Sequence, residues 1–183
     1  MKNRDNKLKI VLIFILSAFF SNFFHEFGHW IVGEILGNDM LISINQVRPK
    51  SGEYIGNTEL FVLCGGPIFT IILSITFLCL IEKYKILYFY PVIFYEFFSR
   101  LLTQILKFDL QDEAKVSALL GVEGIGKYAI AIIVLIILFL TTWRTSYVLK
   151  RNYKDNLFYC VVCIICLFLV VVLDLIVYLL FIK

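Results

Sequence analysis

The sequence predicts an all-α polytopic membrane protein with about five transmembrane helices and a short membrane-associated β-hairpin after the first. Hydrophobic residues make up 61% of the chain and charged residues 17%, where an ordinary soluble domain has about half and a quarter. The mean hydropathy is +0.90. At 183 residues the chain has room for one domain. A water-soluble fold of that size keeps too much surface wet to bury so many apolar side chains. The apolar residues also come in runs of roughly the 20 residues a bilayer requires. These observations exclude a soluble globular domain, a disordered chain and a disulfide-stapled secreted module. The net charge of +3 is small, and the basic residues cluster between apolar runs, as topology signals do and nucleic-acid patches do not.

The first span covers residues 8–36. It has a basic front and an apolar middle, like a signal peptide, but no small-residue cleavage site follows and the helical pattern continues through charged residues, so it is read as retained. Residues 37–59 lack helical periodicity. Met40 to Val47 partly alternates and is rich in β-formers, Arg48-Pro49-Lys50-Ser51-Gly52 reads as a turn, and Glu53-Tyr54-Ile55 follows, so a short hairpin beside the membrane is expected. The second span, 60–81, is uncharged. The third, 86–106, is interrupted by Glu96 and Arg100; the fourth, 128–143, is short and uncharged; the fifth, 157–182, is interrupted only by Asp174. Residues 1–120 therefore form the polar-bearing core and 121–183 add two further spans. Tyr84, Tyr88, Tyr90 and Trp143 near span ends read as interface anchors.

With the N-terminus cytoplasmic, that side carries ten of the Lys and Arg residues in the connections (Lys2, Arg4, Lys7, Lys9, Lys83, Lys85, Arg144, Lys150, Arg151 and Lys154) and the other side six, which favours this orientation. Lys-, Asn- and Ile-rich usage points to an AT-rich microbial genome, and the expected location is a bacterial plasma membrane. The five cysteines all lie in apolar stretches, and an odd number implies no disulfide framework. Cys160, Cys163 and Cys166 have a metal-like spacing but read as small packing residues of an apolar helix.

The chemistry lies in His25-Glu26-Phe27-Gly28-His29, which holds both histidines of the chain. Four residues apart on a helix, the two rings project from one face about 40° apart, which suits two nitrogens on one zinc ion. Glu26, one residue on, can reach a water at the metal without ligating it, take its proton during attack and pass it to a leaving amine. Two imidazoles and a carboxylate within five residues of a span are costly without a compensating ligand. Ser21, Asn22 and Gly33 lie near the same arc and extend a polar stripe that can face water inside the bilayer.

With this motif on an apolar helix, the chain resembles the site-2-protease class of intramembrane zinc metalloproteases. The resemblance spans residues 8–120: the HExGH-type helix, a β segment, Gly65-Gly66-Pro67 opening the second span, and Gln111-Asp112-Glu113 in the place of an LDG-type motif. It implies a zinc-dependent endopeptidase acting on membrane-embedded or membrane-adjacent peptides. It further implies Glu26 as the general base, His25, His29 and Asp112 as ligands, and Gly66, Pro67 and Gln104 as substrate-contacting residues. The chain departs from the pattern in three places. Ile68-Phe69-Thr70 follows the Gly-Pro, Gln104 replaces an Asn with no Pro near it, and Glu113-Ala114 replaces glycine.

A catalytic zinc takes three protein ligands, and with two histidines the third is a carboxylate. Asp112 stands first by context. Asp109, Asp174 (a lone intramembrane carboxylate) and Glu96 are the alternatives, with Arg100 at i+4 placed to pair with Glu96. Two rival readings are a non-proteolytic protein that keeps zinc for structure and a divalent-metal transporter; neither needs a glutamate beside the first histidine.

Overall fold

The computed structural model describes residues 2–43, 45–151 and 153–181, apart from the side chains of residues 2–7, 153–155, 174, 175 and 177–181. Six helices and one two-stranded sheet are present among them: α1 Lys2–Ile35, β1 Met40–Ile42, β2 Val47–Pro49, α2 Glu59–Tyr84, α3 Tyr90–Lys107, α4 Asp112–Leu119, α5 Ala129–Val148 and α6 Tyr153–Phe181. This is an all-α membrane protein. Four helical segments are long and apolar enough to cross a bilayer: Leu8–Ile35, Glu59–Tyr84, Gly124–Val148 and Asn156–Leu173.

The third expected span, α3, is not among those four. Its 18 residues, at 1.5 Å of rise each, still give roughly 27 Å of helix. Glu96 and Arg100 lower its hydropathy, and the protein tolerates them because α3 is the inner helix of the bundle, packed by α1, α2, α5 and α6. The core lies where α1, α3 and α6 meet, with Phe14, Phe94 and Tyr95 against Tyr159, Cys163 and Cys166. Cys163 and Cys166 are free and buried, in keeping with a packing role. Tyr90 is fully buried too, and its hydroxyl donates to Asn156 Oδ1 at 2.9 Å and meets Ser146 Oγ at 2.8 Å, so it is a core residue and not an interface anchor. Ile132, Ile136, Phe139, Ile164 and Phe168 of α5 and α6 face outward; in water such a surface would be a liability, and lipid is its natural solvent.

The hairpin forms, but its turn lies earlier than expected. Met40 pairs with Pro49 and Ile42 with Val47, antiparallel, and the reversal is closed by Ser43 N–H donating to Gln46 O at 2.8 Å. Arg48 and Pro49 therefore belong to the second strand, and Glu53-Tyr54-Ile55 forms no strand. The register is fixed by anchoring. Gly37 adopts φ +85, which ends α1. Met40 is buried against Gly33, where a Cβ would sit 2.6 Å from Met40 Cγ. Asn38 accepts from Ile55 N–H at 2.9 Å and donates to Thr58 Oγ1 at 3.1 Å, tying the loop to the start of α2.

Gly65-Gly66-Pro67 does not open its helix as expected: α2 begins at Glu59, and Pro67 lies two turns inside it. The glycines serve close packing instead. A Cβ on Gly28 of α1 would lie 2.6 Å from Gly65 O and 2.8 Å from Phe69 Cβ, so α1 and α2 touch backbone to backbone, as small residues permit in membranes.

Candidate metal centre

α1 supplies both histidines from one face, and α2 fixes their rings. His29 Nδ1 lies 2.7 Å from Val62 O, so Nδ1–H donates there and leaves the Nε2 lone pair free. His25 Nδ1 lies 3.0 Å from Thr70 Oγ1, which can hold that ring in the same sense. A second partner on the far ring nitrogen is the usual support of a metal-ligating histidine. Gly66 is required beneath them, since a Cβ there would overlap both imidazoles.

The third donor arrives on α4. After α3 a turn over Phe108–Leu110 reverses the chain, Gln111 is extended, and Asp112 and Glu113 occupy the first turn of α4. Carboxylates there are favoured by the helix dipole. Gly121, at φ +67, ends the helix with Val122 N–H donating to Ser117 O at 3.0 Å. Asp112 Oδ2 lies 3.0 Å from His25 Nε2 and 3.3 Å from His29 Nε2, and the two Nε2 atoms are 3.1 Å apart.

This triangle is of a size that could hold a metal ion. Tetrahedral bonds of about 2.0–2.1 Å to N and O donors place neighbouring donors roughly 3.3–3.4 Å apart; one observed separation equals this and the other two are a few tenths of an ångström shorter. Three lone-pair-bearing atoms also converge here with only a cation or proton able to reconcile them. Burial alone would raise the Asp112 carboxyl, but the imidazoles of His25 and His29 beside it hold it well below the usual carboxylate range. His25, His29 and Asp112 are the one such donor group among the described residues.

The remaining site residues divide clearly. Glu26 is buried and lines a cavity of about 620 Å³ with His25, His29, Asp112 and Thr70. Asn45, Gln46, Val47 and Arg48 of the hairpin line its outer part, as do Lys107 and Lys115. Tyr54 also lines it, and burial, then the nearby Glu59 carboxylate, raises its hydroxyl above the ordinary tyrosine value. Asp109 is exposed and faces Lys127 at 3.7 Å, outside the site. The Asp174 side chain lies outside the described residues. Glu96 lines the cavity but does not pair with Arg100. Arg100 instead approaches Asp112 and Glu113, each at 3.9 Å, and places one guanidinium nitrogen against the His25 ring, 2.6 Å from Nδ1 and 2.7 Å from Nε2. The acids at the site draw it one turn outward. Gln104 donates to Glu113 Oε2 at 2.9 Å, and neither it, Gly66 nor Pro67 lines the cavity.

Thr70, the Val62 carbonyl and the fully buried Glu113 are site residues that sequence reasoning missed. Thr70 alone left a signal, as a hydroxyl one turn after Gly66 on an uncharged helix. Comparison with protein-family models, curated proteins and solved structures finds no match to this chain.

Proposed function

We propose that the protein is an intramembrane zinc-dependent endopeptidase that hydrolyses membrane-embedded or membrane-adjacent peptides. The observation that carries this reading is the His25–His29–Asp112 donor triangle with Glu26 in the same cavity. Three protein donors among the described residues leave a coordination position open, which favours catalysis over a closed structural site. A zinc ion held there would supply Lewis acidity, lowering the pKa of water and polarising a carbonyl.

The chain's own residues do the rest. Val62 O and Thr70 hold the imidazoles in orientation. Glu26 accepts the proton of the attacking water as its oxygen adds to the scissile carbonyl carbon. It then delivers that proton to the amine nitrogen as the C–N bond breaks. Arg100 adds positive charge beside the reacting centre, where the developing oxyanion is stabilised. The edge of β2, at Val47 and Arg48, offers an extended substrate backbone a strand to pair with. The membrane is a bacterial plasma membrane and the N-terminus cytoplasmic, in keeping with the distribution of Lys and Arg; reporter fusions to the two termini test that orientation.

The decisive experiment is Glu26→Gln in purified protein. Zinc content stays near one per chain while cleavage of a membrane peptide falls by at least about 10²-fold. Chelation abolishes wild-type cleavage, and added zinc restores it. Undiminished cleavage by the Gln variant would refute the mechanism.

A further inference from the structure

The cavity continues below the donor cluster, and its floor carries a group that the hydrolysis does not use. α1 and α3 run in the same direction: Phe14 meets Phe94, Asn22 meets Tyr95 and His25 meets Arg100. Ser21 and Glu96 each precede a site residue by four positions, so both lie about one turn, roughly 6 Å, deeper. Both line the cavity, and both are more than nine-tenths buried, Ser21 at 1% and Glu96 at 4% exposure.

The Ser21 hydroxyl and the Glu96 carboxyl lie side by side and face each other, and neither Ser21 Oγ nor Glu96 Oε1 has a further hydrogen-bond partner among the described residues. Arg100, the nearest cation on the same helix, is turned toward Asp112 and Glu113. Leu167 and Val170 of α6 form an apolar wall of the same floor. A buried carboxylate oxygen without a donor is costly. An apolar wall that ends in a carboxylate fits an unbranched aliphatic stem with a cationic end. Arg48, Lys107 and Lys115 at the mouth are exposed, where solvent and salt screen their repulsion of such a group.

We propose that Ser21 and Glu96 form a specificity subsite for a lysine or arginine side chain of the peptide substrate, its stem against Leu167 and Val170 and its cationic end on Glu96. The inference rests on the protease reading of the site above it.

Full-length E26Q protein in detergent micelles, slowed at the chemical step, is titrated with a leucine-rich membrane peptide carrying one central lysine and with its norleucine counterpart. The lysine peptide binds about tenfold tighter or more, as a charge-assisted hydrogen bond provides. The ratio falls to about one when E96Q is added and is reduced when S21A is added instead. Equal affinity for the two peptides, binding of neither, or a lysine preference that survives E96Q overturns the subsite. If the preference is present while protein with Glu26 intact cleaves no membrane peptide, lysine-bearing or not, the protease reading fails and the subsite stands.

Discussion

The threonines of α5 and the polar groups around the donor cluster are satisfied in different ways. In α5, Thr141, Thr142 and Thr145 are all buried, and each hydroxyl donates to a carbonyl three or four residues back in its own helix, at 2.9, 2.8 and 2.7 Å. Around the donor cluster, polar groups of α1 to α4 reach between elements: His25 to Thr70, His29 to Val62 O, Asn22 to Tyr95 and Gln104 to Glu113. A threonine hydroxyl finds its acceptor within its own turn wherever the helix goes. An imidazole or carboxylate has no such local partner, so its satisfaction depends on another element arriving in register. The donor cluster is built from groups whose partners must come from other elements.

This contrast can be broken at four points, in descending order of effect. Asp112→Asn removes the donor that arrives from α4. Chelator competition will show zinc affinity weakened by more than about 100-fold, beyond the range of outer-shell partners, with cleavage lost. Gly66→Ala drives a methyl into both imidazoles. It costs about 1–3 kcal/mol of stability by overpacking, read from thermal unfolding in detergent, and lowers zinc occupancy at a metal concentration that saturates the wild type. Thr70→Val keeps the shape and deletes the partner of His25 Nδ1, so zinc affinity drops by about tenfold, the low end for an outer-shell group, while unfolding is nearly unchanged. Thr145→Val in α5 removes a hydroxyl whose acceptor belongs to its own helix. Stability changes by less than about 1 kcal/mol and zinc titrations overlay the wild type. A Thr145→Val protein that lost zinc would erase the distinction between the two regions.

Much of the site was legible because its first two donors are local. The i, i+4 spacing of His25 and His29 fixes their common face on any helix, and Glu26 follows from adjacency. Asp112 stood first among four carboxylates only through its context after the third span, with Asp109, Asp174 and Glu96 as the alternatives. Glu96 and Arg100 show the limit of local reading. Their i+4 spacing suits an ion pair, yet the carboxylates of α4 draw Arg100 away. Pro67 shows another limit. A Gly-Gly-Pro run reads as a helix opening, but α2 starts two turns earlier because Glu59 to Leu63 continue the helix and α1 packs against the glycines. The hairpin turn was displaced for a similar reason, with Met40 anchored against Gly33 and Asn38 tied to Thr58.

By itself, the sequence determined the solvent of this protein, the approximate limits of its four long apolar helices, and the pair of imidazoles on one helix face. These follow from composition and helical periodicity, which act over a few turns at most. The tertiary structure alone decided which acid joins the histidines, which carbonyl orients His29, why Gly66 must lack a side chain, and which way Arg100 points. Each of these depends on a contact between residues distant along the chain, and such contacts are set by how helices dock rather than by how each one forms.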